Sequence, residues 1–168
     1  MTEARIAALE ARLRELEDRD AISGLIHRYA LCIRQRDKST CQALLLTDAW
    51  FELRHIDPAD PARDSLVTRL EGSAAMVGGY DTEAGAGQSV WPMLHNFEIK
   101  LNGDTAHSVC VMASAIWPVG QQFVGEYHDE LVRTLEGWRF ASRTYRLIGE
   151  VGGQYAAEAR KIYQAAKG

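Results

Sequence analysis

A single change of hydrophobic period constrains this chain more than any other feature. From residue 3 to 35, apolar side chains recur at three- and four-residue intervals: Ile6, Leu9, Leu13 and Leu16, then, after a small shift of phase, Ile22, Leu25, Ile26, Tyr29 and Ile33. That spacing predicts one long helix. Its first half is dense in Glu and Arg, with a narrow apolar seam open to a partner chain. A short second helix is expected over 39–46, and from Ala49 the period becomes two. Ala49–Arg54 reads as a strand, and Asp57-Pro58 and Asp60-Pro61 punctuate 56–71 as a loop. A small helix follows around Ser73–Tyr80, then a Gly-bearing mobile loop over Asp81–Gln88. Met93–Leu101, Thr105–Trp117, Gln122–Thr134 and Trp138–Ile148 then form a four-strand meander, the first turn marked by Asn102-Gly103-Asp104. The tail from Gly153 returns to helical spacing. Helices, then an antiparallel sheet, then a helix define an α+β domain with helices on one face of a curved sheet. The whole chain, 1–168, reads as one domain, with 1–20 the charged start of the first helix and 153–168 a helical tail.

Composition narrows the function classes. A chain of 168 residues, 46% hydrophobic, can bury a sizeable core without staples. A net charge of −4 argues against a nucleic-acid partner, which would call for a basic stripe. No apolar run is long enough to span a membrane, and the first residues are charged helix formers rather than a leader. Cys32, Cys41 and Cys110 match no zinc or CxxC spacing, and reduced, buried thiols point to the cytoplasm. There is no Gly-rich phosphate loop, HExxH or Ser-His-Asp order, so no cofactor and no metal are expected.

Strand alternation selects the candidate site. Phe123, Tyr127, Asp129 and Leu131 share one face of the third meander strand. Strict alternation puts Arg146 with Trp138 and Phe140, and His95 with Phe97, Ile99 and Leu101, on that same apolar side. Tyr29 lies on the apolar face of the covering helix. Titratable groups at core-facing positions are costly unless they are paired or useful. Asp129 either pairs with Arg146 across adjacent strands or serves as an acid. An imidazole can take a proton near neutral pH, and a Tyr hydroxyl or a neutral carboxylic acid can donate to a developing oxyanion.

The segments Leu16–Ile22 running to Arg28-Tyr29-Ala30, Leu46–Ala49, Asn96–Ala106 and Gly125–Arg133 running into Gly137–Ala141 resemble the SnoaL-like branch of the nuclear-transport-factor-2-like superfamily. The resemblance covers nearly the whole chain and implies a cone-shaped, cystatin-like α+β barrel. Members include polyketide cyclases, scytalone dehydratase, ketosteroid isomerase, bile-acid dehydratases, a dehydrochlorinase, lyases acting on diaryl compounds and small subunits of ring-hydroxylating dioxygenases. Most of the enzymes need no cofactor, and members commonly dimerise. The resemblance makes Tyr29 a hydrogen-bond donor, Asp129 an oxyanion-hole acid and Arg146 a pocket arginine. It also departs from the family: the dehydratases' Asp position is Arg34, their catalytic His position is Pro92, and the isomerases' general base position is Leu53.

The resulting expectation is a cofactor-independent lyase or isomerase (dehydratase, deformylase or cyclase-type) acting on a hydrophobic aromatic or polycyclic small molecule. His95 would be the base, with Tyr29 and Asp129 stabilising oxygen charge. Arg34 or Arg146 would orient substrate, and Asn96, Tyr127 and Trp117 would line its site. The chain is expected as a homo-oligomer, dimer or trimer. The alternatives are a non-catalytic ligand-binding or assembly protein, and a dioxygenase small subunit.

Overall fold

Helix α1 spans Glu3–Gln35, as the spacing predicts, but only its second half is packed. Ile22, Leu25, Ile26, Tyr29 and Cys32 are buried, whereas residues 2–17 are exposed throughout. The structure, a computed structural model, describes residues 2–57, 59–78, 89–117 and 120–151. The expected loop over Asp81–Gln88 and the helical tail from Gly153 lie outside the described residues.

Helix α1 ends at Arg36, which takes the left-handed conformation (φ 57°) and turns its N–H onto the Cys32 and Ile33 carbonyls. Asp37 then caps α2 (Lys38–Ala43) by accepting from the Thr40 N–H at 3.0 Å. The α2 helix stops short of residue 46 because Leu45 already begins strand β1 (Leu45–Asp57).

The Asp-Pro pairs predict a loop over 56–71, and this expectation fails. Asp60–Glu71 form β2, antiparallel to β1 from Trp50↔Glu71 to Ile56↔Asp64. As an edge strand, β2 has no buried alternation to read, since residues 62–69 are all exposed. An edge also tolerates Pro61. Glu52 on β1 accepts from Arg54 Nη1 at 2.8 Å and from Arg69 Nη1 on β2 at 2.6 Å, which ties the edge down.

Helix α3 (Ser73–Gly78) leads to β3 (Ser89–Asn102), β4 (Thr105–Trp117), β5 (Gln121–Thr134) and β6 (Gly137–Val151). The four form the expected meander, and Asn102↔Thr105 pairing leaves Gly103-Asp104 as a two-residue loop, with Gly103 at φ 62°. The sheet order is β2-β1-β6-β5-β4-β3, with β1 parallel to β6 and the other neighbours antiparallel. The expected α+β fold is borne out, built on a curved sheet that does not close. Helix α1 lies across one face, against β3 and β6. Among the described residues, no helix is long and apolar enough to cross a membrane. The three cysteines are free and buried, and burial pushes the Cys110 thiol up to about 12.

Asp18 fastens α1 to the β5–β6 hairpin. Its carboxylate accepts from Arg133 and, at 3.1 Å, from Trp138 Nε1. The Arg133 hydrogen bond leads the causes that hold its pKa below the ordinary 3.8. A carboxylate depressed in the fold stabilises it fully above its unfolded pKa, and that contribution disappears as pH falls through the folded value. Asp18→Asn is therefore expected to lower the thermal midpoint at pH 7 and to flatten the wild type's loss of stability between pH 5 and 2. Melting curves across that range measure both effects.

Candidate functional site

Two bulges decide what faces the interior. In β3, pairing with β4 runs from Ser89 to His95 and resumes only at Glu98. Asn96 sits at φ 53° inside this bulge. Val90, Pro92 and Leu94 therefore face inward before it, and Phe97, Ile99 and Leu101 after it. In β6, Leu131 pairs with Phe140 and Glu130 with Ser142, so Ala141 is an extra residue. Inward positions accordingly pass from Trp138 and Phe140 to Arg143, Tyr145 and Leu147.

These shifts build a buried polar centre. Arg143 Nε donates to Asp129 Oδ1 at 2.7 Å, and Nη2 donates to Oδ2 at 2.8 Å. Ser108 on β4 donates to Asp129 Oδ2 at 3.2 Å. The side chains of Arg143 and Asp129 are 1% and 0% exposed. The guanidinium carbon lies 4.0 Å from the Tyr127 ring centroid, 4.3 Å from Tyr29 and 4.4 Å from Phe140, an aromatic cage around a cation. Burial works against this charge, but the Asp129 carboxylate prevails and raises the Arg143 pKa above its ordinary value. Arg143 Nη1 has no hydrogen-bond partner among the described residues.

Beside this centre lies a cavity of about 230 Å³. Tyr29 and Ile33 line it from α1, Phe51 and Leu53 from β1, and Tyr127, Tyr145 and Leu147 from β5 and β6. Pro92, Met112, Ser114 and Phe123 close the remaining sides with other apolar groups. A dry apolar cavity of about 150 Å³ is enough for benzene, so this one accommodates a substituted ring or two fused rings. Gly125 makes room for part of the wall. A Cβ there would stand 2.7 Å from Tyr145 Cε2 and 2.3 Å from the Arg146 carbonyl oxygen.

Of the sequence-predicted residues, the structure brings Tyr29 and Tyr127 together on the cavity wall, with Asp129 buried beneath. His95 is not among them. The β3 bulge leaves it exposed on the outer face, which corrects its expected core-facing placement. Asn96 is exposed within the bulge itself. Arg146 alternates with the inward Tyr145 and Leu147 and so faces outward; Asp129 pairs with Arg143 instead. Arg34 is exposed on α1, its guanidinium 5.1 Å from the Trp91 ring centroid. The Trp117 side chain lies outside the described residues. Leu53 and Pro92, where the resemblance puts a base and a histidine, both line the cavity. The cavity thus occupies the implied place without the implied titratable groups.

Strict alternation overlooks Arg143 and Tyr145, whereas Ser114 is in phase with the inward Met112 and Ile116 of unbulged β4. The signal for the first two is a phase conflict in β6, where Trp138 and Phe140 are apolar at even numbers but Tyr145 and Leu147 at odd ones. Only an inserted residue reconciles the two. Among the described residues, no group of His, Cys, Asp and Glu is placed to hold a metal.

Residues 14–144 match the family model described as a SnoaL-like domain. An uncharacterized protein of Mycobacterium tuberculosis is 28% identical over 134 residues, covering 77% of this chain and 84% of that protein. An NTF2-like protein with a cystatin-like fold from Novosphingobium aromaticivorans superposes with a TM-score of 0.66 at 26% identity, over 90% of this chain and 93% of that one. A hexachlorocyclohexane dehydrochlorinase superposes with a TM-score of 0.64 at 12% identity, over 83% and 91%, a likeness of fold.

Proposed function

Since the chain belongs to the SnoaL-like domain family, we propose that it binds a hydrophobic, ring-bearing small molecule in this cavity and acts on it as a cofactor-independent lyase or isomerase. The observation that carries this reading is the meeting of Tyr29, Tyr127 and Tyr145 on an otherwise apolar wall, above the Arg143–Asp129 pair. Apolar walls hold the rings, and tyrosine hydroxyls supply donors for an oxygen that gains negative charge during reaction. The caged guanidinium lies 4.0–4.3 Å from two of those rings and favours such charge nearby. The roles thus proposed are substrate contact for Tyr29, Tyr127 and Tyr145, and positioning for Arg143 and Asp129. The outward-facing His95 has none.

A second reading, binding without turnover, is favoured by the apolar Leu53 and Pro92 on the cavity wall. The test is to extract the purified protein, identify any retained ring compound by mass spectrometry, and follow its conversion and its affinity. Tyr29→Phe is expected to lower turnover about 10²-fold while affinity changes much less. Ser114→Phe, which fills the cavity, should abolish both. Retention without conversion, with Tyr29→Phe altering affinity alone, would establish the binding reading. Failure of substituted mono- and bicyclic aromatics to bind at all would refute both. Co-purification with a larger iron-containing chain would point instead to a dioxygenase small subunit.

A further inference from the structure

Among the described residues, nothing packs over the first half of α1. Residues 3–17 are exposed, and on them Ile6, Leu9, Leu13 and Leu16 are 39%, 53%, 56% and 58% exposed. Their spacing places Ile6 and Leu13 at a positions and Leu9 and Leu16 at d positions of two heptads. At 3.6 residues per turn, this seam lies on roughly the opposite side of the helix from Ile22, Leu25, Ile26, Tyr29 and Cys32. The domain's own core therefore does not reach it. A partner meeting it would approach from the side away from the sheet.

The charges flanking the seam identify that partner. All three g positions are Arg (Arg5, Arg12, Arg19), and all three e positions are Glu (Glu3, Glu10, Glu17). In a parallel, in-register pair, each g residue faces the e residue of the next heptad on the other helix. Arg5 then meets the partner's Glu10, and Arg12 meets the partner's Glu17, with the reciprocal pairs formed by symmetry. An antiparallel pair sets g against g and e against e, which brings Arg to Arg and Glu to Glu. Beyond the second heptad the seam ends: Arg19 is engaged with Glu15 and the Ile99 carbonyl, and the next a and d positions are Asp20 and Ser23.

We propose that residues 3–17 of α1 pair with the same segment of a second copy of this chain as a parallel, in-register, two-stranded coiled coil. Ile6 at a with leucines at d suits two strands. The device is independent of the cavity's chemistry and holds two domains side by side with their cavities facing away from the shared helix.

Sedimentation equilibrium of the full chain tests this. The wild type is expected to be a concentration-dependent dimer. Arg12→Glu, which sets Glu against the partner's Glu17, should raise the dimer dissociation constant at least tenfold. Adding Glu17→Arg in the same chain should restore it. Leu9→Glu with Leu13→Glu should give a monomer with an unchanged circular dichroism spectrum, because both side chains are exposed in the single chain. Leu9→Cys should form a same-residue disulfide under mild oxidation, as the three native thiols are buried. A monomeric or trimeric wild type overturns the proposal. So does an oligomer indifferent to both the Arg12 and the leucine substitutions, and so does failure of Glu17→Arg to restore the Arg12→Glu chain, which would mean that the two positions do not face each other as parallel helices require.

Discussion

Asp129→Ala is expected to cost the fold about 3–5 kcal/mol, read from urea unfolding, because it strands the Arg143 guanidinium in a site with no exposure. Arg143→Met should cost a similar amount by leaving the buried carboxylate with the Ser108 hydroxyl as its remaining side-chain donor among the described residues. Joining Asp129→Leu to Arg143→Met removes both charges together. That double variant should be markedly more stable than either single one, since a buried pair replaced by apolar groups of similar volume is often neutral. With Asp129→Leu as the matching single variant, the double-mutant cycle yields a large interaction energy. Single substitutions costing under about 1 kcal/mol would show that water reaches the pair. The double variant should nevertheless bind a cavity ligand less well. The guanidinium is packed against the Tyr29 and Tyr127 rings, and a methionine there fixes neither. The buried pair is thus read as a positioning device more than as a source of stability.

Gly125→Ala is expected to destabilise by about 1–3 kcal/mol and to weaken cavity binding at the same time. The added methyl would stand 2.3 Å from a backbone oxygen of β6 and 2.7 Å from the Tyr145 ring. The ring can swing away, but the carbonyl belongs to a paired strand, so β6 must shift where it carries Tyr145 and Leu147 to the cavity. Gly149→Ala serves as the control, since a Cβ there meets nothing within 4 Å. It should stay within about 0.5 kcal/mol of wild type. Equal effects at the two glycines would remove the argument that Gly125 is there to admit the ring.

Much of the fold is legible in the sequence alone. The full length of α1 followed from its spacing, and the β3–β4 hairpin from Asn102-Gly103. Helical spacing and strand alternation put Tyr29, Tyr127 and Asp129 on the interior, where all three are buried. β2 was not legible, because an edge strand exposed on both faces leaves no period and its Asp-Pro pairs resemble loop punctuation. The positions that the resemblance singles out, Leu53 and Pro92, do line the cavity, but they lack the titratable groups it implies.

The errors at His95 and Arg146 share one cause. Period two propagates along a strand only while every residue is paired, and a single bulge inverts everything after it. The bulge at Asn96 turned His95 outward, and the one at Ala141 exchanged Arg146 for Arg143. The elements, their order and the charged seam of α1 are local properties, written in spacing and residue type along one segment. The buried Arg143–Asp129 pair and the tyrosines gathered around it depend on how β4, β5 and β6 slide against one another. That register is set by packing across strands, so only the folded chain decided which cation occupies its centre.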